Sequence, residues 1–465
     1  MGAALVKALP SVIMRTGGPF AWLRHSLFQN AVVIAGGTAA AQVIGIATTP
    51  ILTRLYGPES FGALALLVGF STALLPIVGM SYSAAIVMPA AREDGAGLLR
   101  LSLTLTFGTC AMLGCGTIAL WLYSPATWKG LIGESPQETV VYWMLVPMLL
   151  AGGLSLAFQA WLVRTRSFAA ISRCTIVSAA AGAIVKIIGG IVNASAFTLV
   201  VAHTTAAFFS ASLLAAASLR SLLPLNDQKG SLGAPARLSP TALALAYRGF
   251  PLYTMPRDLL NGISAGFPVV MFATFGDIAT SGLYGLARTV VSVPASLVTQ
   301  SLATALLPHL AGISQTNRSL RPPLLKAMAA LALVGLPIFG PLFFAAPALF
   351  RFIFGADWEP AGQYAQWLSL WSYCTFIDLP CAQAVRFLGL QRAFLVHELV
   401  ATFGRLAAVY GGLVWLRDPI HSVMLLSLVG VVANLVLVLW VLPFASRSQQ
   451  GAVLPAAQHS ATDAC

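Results

Sequence analysis

Charge is what this sequence has least of. Asp, Glu, Lys and Arg make up 9% of its 465 residues, against roughly 25% in a soluble globular domain. With 58% hydrophobic residues and a mean hydropathy of +0.84, the composition is that of an integral membrane protein and excludes an ordinary soluble one. Acidic residues are the scarcer sign, 14 against 26 basic. No basic run with interleaved aromatics occurs, so the excess does not point to nucleic acid. The positive charges stand singly between hydrophobic blocks, as membrane topology requires.

Catalytic and cofactor signatures are also missing. There is no GxxxxGK[ST], no HExxH and no GxSxG, and no soluble domain carries paired carboxylates. The six cysteines (Cys110, Cys115, Cys174, Cys374, Cys381 and Cys465) form no CxxC and no Cys/His ligand spacing, so they read as small packing residues and no metal is expected. The terminal "TDAC" is not a prenylation box. The longest loop expected outside, "SPATWKGLIGESPQE", is too small to house an extracytoplasmic active site. No catalytic residue and no cofactor are expected. Nor do the first 29 residues hold an apolar stretch long enough for a signal peptide, so "AVVIAGGTAAAQVIGIATTPIL" reads as an uncleaved first span.

What is present is hydrophobic runs of spanning length. A span needs about 20 mostly apolar residues. On that length the chain divides near 31–52, 61–83, 98–122, 140–162, 174–192, 196–219, 250–274, 282–307, 325–350, 363–385, 393–416 and 420–443. This predicts a cytoplasmic N-terminal segment (1–30), a first six-helix bundle (31–219), a polar cytoplasmic linker (220–248), a second six-helix bundle (249–443) and a cytoplasmic tail (444–465). With the N-terminus inside, eighteen basic residues fall in cytoplasmic segments, and only Arg54, Lys129, Arg351 and Arg417 fall outside, a strong positive-inside bias. Trp121, Trp161, Trp415 and Trp440 lie near span ends, where interface anchors belong.

The halves resemble one another. "LYGPESFGALALL" links spans one and two, and "TFGDIATSGLYGLA" links spans seven and eight; "RTRSFAAIS" after span four has a counterpart in "LQRAFLVHE" after span ten. Six spans per half give both halves the same orientation, so the repeat is parallel, about an axis along the membrane normal.

Four basic residues, Lys186, Arg257, Arg288 and Arg405, and three acidic ones, Asp258, Asp378 and Glu398, lie within spans. A charge facing lipid costs about 2.5–3.5 kcal/mol on the insertion scale, so these residues face protein or a water-filled cavity, or snorkel. Helical periodicity aligns Thr254, Arg257, Asp258, Asn261 and Ser264 in one stripe. Others are Ser178, Gly182, Lys186, Gly189 and Asn193; Arg288, Ser292, Ser296 and Thr299; and Glu398, Thr402 and Arg405. Arg257 and Asp258 are neighbours about 100° apart around a helix, which does not imply a direct pair. The expected cavity residues are Arg257, Asn261, Ser264, Arg405, Lys186 and Arg288, while Asp258, Asp378 and Glu398 are candidates for ion coupling or ion pairing.

The segments "GGTAAAQVIGIATTPILTRLYGPESFGALAL" and "SYSAAIVMPAARED" resemble the opening of Wzx-type polysaccharide flippases. "FPLYTMPRDLLNGISAGFPVVMFATFG" with "SGLYGLARTVVSVPASLV" resembles the start of their second half. That family belongs to the MOP superfamily, with MATE exporters and MurJ-type lipid II flippases. The resemblance implies an all-α integral membrane protein of the bacterial inner membrane. Twelve transmembrane helices in two pseudo-symmetric six-helix bundles would surround a central cavity in the MATE/MOP manner. It implies alternating-access translocation of an undecaprenyl-pyrophosphate-linked oligosaccharide from the cytoplasmic to the periplasmic leaflet, for O-antigen or exopolysaccharide biosynthesis. A polysaccharide polymerase and a chain-length regulator are the implied protein partners, and the lipid bilayer the surrounding one. Two alternatives stay open: a MATE-like secondary exporter of small molecules, and a membrane polymerase or ligase of the same glycan pathway.

The topology is directly testable. Reporter fusions after Leu225 and Arg447 are expected to read cytoplasmic, and fusions after Glu134 and Asp357 periplasmic. A periplasmic signal after Leu225 would place an odd number of spans before it and break the two-bundle map.

Overall fold

The computed structural model describes residues 21–89, 91–123, 136–227, 239–315, 319–385 and 388–446. Long helices dominate: α1 (Ala21–Leu55), α2 (Pro58–Leu74), α3 (Arg92–Tyr123), α4 (Pro136–Arg164), α5 (Phe168–Val192) and α6 (Ala196–Asp227). They are followed by α7 (Met255–Phe275), α8 (Ile278–Gln315), α9 (Arg321–Phe354), α10 (Glu359–Ala384), α11 (Gln391–Gly411) and α12 (Pro419–Ser446). Among the described residues nine helices are long and apolar enough to cross a membrane. Leu333, Phe344, Phe352 and Phe403 lie exposed on them. A helix satisfies its own backbone hydrogen bonds, which lipid cannot, so the protein is an all-α membrane protein.

Local chemistry sets the helix starts. Gly57 precedes Pro58 at the first turn of α2, where a missing N–H costs nothing. The Asp277 carboxylate accepts from the Thr280 N–H at 2.6 Å to cap α8, and Asp418 accepts from the Ile420 N–H at 2.8 Å to cap α12. Prolines inside helices free a carbonyl one turn earlier. At Pro347 of α9 that carbonyl belongs to Phe343, and the Gln366 amide of α10 donates to it at 2.9 Å.

Pairwise packing repeats along the chain. In the first half α1 packs on α5, α2 and α3 on α4, and α4 and α5 on α6. Six helices later α7 packs on α11, α8 and α9 on α10, and α10 and α11 on α12. The halves meet through α2 against α8, flanked by α2 against α7 and α1 against α8. The two look-alike turn segments sit face to face there. A Cβ on Gly62 would strike the Ile278 carbonyl, and one on Gly282 would strike the Pro58 carbonyl. Gly266 of α7 lies equally close to the backbone of Gly69 in α2. Close by, Trp358 is 1% exposed and donates its indole N–H to the Thr53 carbonyl at 3.1 Å. Phe61 packs edge-on against it, with ring centroids 4.9 Å apart.

Three expectations are corrected. The second span does not run as one helix to residue 83. α2 stops at Leu74 after 17 residues, and the chain turns through Pro76, Gly79, Met80 and Ser81, the last three with positive φ, into a short helix Tyr82–Ala85. Trp161 is no interface anchor: it is fully buried and donates to the Ser221 hydroxyl at 2.8 Å. By contrast Trp415 is exposed. The linker is not simply polar. α6 continues to Asp227, and Ser239 with Pro240 starts a helix, Pro240–Ala246, whose Leu243 is buried among Tyr82, Leu98, Leu99 and Trp161. In addition, spans seven and eleven each carry a π-helical turn, at Phe250–Thr254 and Gly412–Leu416. The stretches 1–20, 228–238 and 447–465 of the expected terminal and linker segments, and the loop 124–135, lie outside the described residues.

The glycine contacts generate a prediction. Gly62→Ala and Gly282→Ala would each press a methyl group into facing backbone, which cannot rotate away, at a cost of about 1–3 kcal/mol. Both should lower the thermal unfolding midpoint of the purified protein in detergent. Gly36→Ala, with nothing within 4 Å of its Cβ, should not. Unchanged midpoints for the first two would refute the packing.

Candidate functional site

A cavity of about 520 Å³ opens at the junction of the halves. The first half contributes Gly45, Thr48 and Thr49 of α1, Phe61, Val68 and Thr72 of α2, and Ala179, Ala183 and Lys186 of α5. The second half contributes Ala265, Gly266 and Val269 of α7 and Gly285, Arg288, Thr289 and Ser292 of α8. Its walls are mostly apolar with a few hydroxyls and two cations, the usual make-up of a small-molecule site.

The two cations differ in how they are held. Arg288 Nη1 donates to the Ala265 carbonyl of α7, which fixes the guanidinium across the α7–α8 seam. Lys186 uses its backbone carbonyl to accept from the Tyr56 hydroxyl at 2.9 Å. Its ammonium has no hydrogen-bond or ion-pair partner among the described residues. His203 of α6 lies within its electrostatic reach, and His203 Nδ1 is buried without a partner. Elsewhere in the α5 stripe Gly182 packs against Ala206 and Gly189 against Thr198 of α6, so the glycines seat the helix and leave Lys186 to the cavity. An ammonium in such surroundings is costly unless an anion or water meets it.

The other expected residues are placed elsewhere. Arg257 and Asp258 do pair directly, Nη2 and Nε reaching Oδ1 at 2.7 and 3.1 Å, which corrects the reading from helical angle alone. The Arg257 side chain is 71% exposed and lines neither this cavity nor the second one beside Asp258, and Asn261 is likewise exposed and lines neither. Ser264 faces α11, 3.1 Å from the Thr402 hydroxyl. The α7 stripe therefore does not face one cavity. Ser296 of the α8 stripe donates to Gln42 of α1 at 3.1 Å, and the Thr299 side chain lies outside those described.

Arg405 is enclosed by its own neighbours. Its Nε donates to the Ala401 carbonyl at 3.1 Å and its Nη2 to the Thr402 hydroxyl at 3.2 Å. Glu398 lies 3.6 Å away, and the guanidinium sits 5.4 Å from the centre of the Trp371 ring. Asp378 of α10 is 5% exposed. The Asn434 amide of α12, oriented to donate, lies 3.3 Å from its Oδ2 and accepts from the Thr375 hydroxyl at 2.8 Å. Asp378 has no cation partner among the described residues. No group of three or more His, Cys, Asp or Glu that could hold a metal occurs among them.

Sequence reasoning missed Thr48, Thr49 and Thr72, because it ranked in-span residues by formal charge. The "ATTP" at 47–50, near the end of the first span, was the available signal.

Residues 51–363, more than half of the chain, match the model of a family described as polysaccharide biosynthesis protein. The chain is similar to the succinoglycan biosynthesis transport protein ExoT of Rhizobium meliloti (strain 1021), 23% identical over 380 residues that make up 79% of this chain and 71% of that protein. Among solved structures it is similar to an inward-facing multidrug resistance MATE family transporter of the MOP superfamily. That match has a TM-score of 0.67 and 14% identity, covering 87% of this chain and 94% of the other. It is also similar to the lipid II flippase MurJ in an inward closed conformation, with a TM-score of 0.66 and 12% identity over 88% of this chain and 87% of that one. At such identities the two structures speak for the fold alone.

The enclosed Arg405 carries a prediction of its own. Arg405→Ala strips Glu398 of its counter-ion and Thr402 of a donor, and should cost about 1–3 kcal/mol of stability. The double variant with Glu398→Gln should recover part of that loss. Additive losses in thermal unfolding would show that the pair is not coupled.

Proposed function

The chain belongs to the polysaccharide biosynthesis protein family, and on that footing we propose that it flips an undecaprenyl-pyrophosphate-linked oligosaccharide from the cytoplasmic to the periplasmic leaflet. The twelve long helices are read as transmembrane, in two six-helix bundles over 31–219 and 249–443 with both termini cytoplasmic. The recurrence of helix pairings six helices apart supports this reading. The cell inner membrane is the expected location.

The observation that carries the proposal is the pair of cations at the junction. Lys186 from the first half and Arg288 from the second line one cavity, and the ammonium has no counter-ion among the described residues. A pyrophosphate supplies that counter-charge, with oxygens for the guanidinium fork. The hydroxyls of Thr48, Thr49, Thr289 and Ser292 donate to backbone carbonyls of their own helices and add neutral polar groups to the same walls. The polyprenyl tail stays in lipid. Transport is by alternating access, one bundle rocking against the other. Of the three in-span carboxylates, Asp258 and Glu398 sit beside arginines, so ion coupling is assigned to Asp378.

The test measures membrane abundance and lipid-linked glycan transfer together, in a strain lacking the native chain. Lys186→Ala and Arg288→Ala should insert normally and lose transfer. Each removes a charge-assisted contact of about 1.5–3 kcal/mol, or roughly one to two decades in affinity. In vesicles, Asp378→Asn should remove the response to an imposed ion gradient. Normal abundance with undiminished transfer in both cation variants sinks the proposal. Drug efflux without glycan transfer would favour a small-molecule exporter on the same fold.

A further inference from the structure

A second cavity, of about 530 Å³, lies in the first half and has a different chemistry. Its polar lining is Thr72 of α2, Ser81 and Ser83 just after it, Ser102 and Thr106 of α3, Gln159 of α4 and Asp258 of α7. Among the described residues no cation lines it, and the carboxylate that does, Asp258, already has Arg257 as its counter-ion. Ser102 is 1% exposed, and it lines the cavity together with Ser81, Ser83 and Gln159. Between the polar groups Leu75, Val78 and Leu156 supply apolar surface.

The two cavities share Thr72. Along α7 the cationic cavity touches Ala265, and the second touches Asp258. Seven residues of helix separate these points by about 10 Å. A headgroup whose anion sits between Lys186 and Arg288 therefore has room to extend one or two sugar rings towards Asp258.

We infer that this second cavity is a subsite for uncharged hexose units of the lipid-linked glycan; it rests on the function proposed above. A sugar hydroxyl both donates and accepts, and needs partners of both kinds. Serine and threonine hydroxyls serve either way, the Gln159 amide supplies two donors and an acceptor, and Asp258 supplies acceptors only. The C–H faces of the ring meet the leucines and valine. An acidic sugar would bring a second carboxylate to Asp258 with no free cation on the wall, and like charges in a partly desolvated site repel. The cavity thus selects neutral sugars by what it lacks.

The test uses the full chain in lipid nanodiscs and three probes: heptaprenyl pyrophosphate, its glucosyl derivative and its glucuronosyl derivative. The glucosyl probe should bind more tightly than the bare pyrophosphate, and the glucuronosyl probe should not. Gln159→Leu and Ser102→Ala should each cut the glucosyl-to-bare affinity ratio, together by roughly tenfold, as expected for one or two neutral hydrogen bonds. Lys186→Ala should weaken all three probes alike. If bare pyrophosphate binds but glucose adds nothing, or glucuronate binds as well as glucose, the subsite is refuted while the flippase reading stands. If none of the probes binds the unaltered chain, the flippase reading fails and the subsite with it.

Discussion

The contact on which the rest depends is backbone against backbone, where α2 crosses α8. In lipid there is no hydrophobic gain in burying one apolar helix against another, so association rests on close packing and on small residues that permit it. Gly62 lies on the Ile278 carbonyl and Gly282 on the Pro58 carbonyl. The pair is reciprocal, as two copies of one motif facing each other must be. A side chain at either position would hold the halves apart at the end of the junction where Phe61 lines the cationic cavity. Trp358 reinforces that end by spending its indole N–H on a carbonyl of α1.

From that crossing the in-span charges separate into two kinds. Arg405 and Glu398 lie within reach of each other beside Thr402 and Trp371, and Arg257 and Asp258 form a pair on one helix. These charges are answered by protein and ask nothing of a ligand. Lys186 is different, since its neighbours are alanines, threonines and an unpaired histidine nitrogen. Net charge among the seven in-span residues is close to balanced. What distinguishes the site is the placement of an unanswered cation in a cavity, which no count of charges can express.

Much of the architecture was legible in the sequence because it is written in periodicity and length. Most of the apolar runs became long helices, nine of them among the described residues long and apolar enough to cross a membrane, and the Gly-bearing turns after spans one and seven became the contact between the halves. The errors came where a residue's neighbour, rather than its own pattern, decides. Helical angle separates the Cα–Cβ directions of Arg257 and Asp258 but ignores the length of an arginine, which reaches round to its neighbour. Trp161 read as an anchor by its position near a span end, but the chain after α6 lies over it. The helix Pro240–Ala246 was hidden in a stretch that composition marks as linker, although Ser239 followed by Pro240 is a helix start. For the same reason the stripes showed which residues share a face and not what faces them.

The α2–α7 crossing explains why one chain carries two cavities of opposite character. Gly262 and Gly266 let α7 lie on the backbone of Thr72 and Gly69. At that depth the two helices are in backbone contact. On the side nearer Gly57, Lys186 and Arg288 line a common space. On the side nearer Ser81, α2 ends early because Pro76 and the left-handed turn at Gly79, Met80 and Ser81 carry the chain away. The short α2 thereby exposes Ser102 and Gln159 to a space that a full-length helix would have filled. The premature end that the hydropathy pattern did not foresee is therefore what makes room for the hydroxyl-lined cavity.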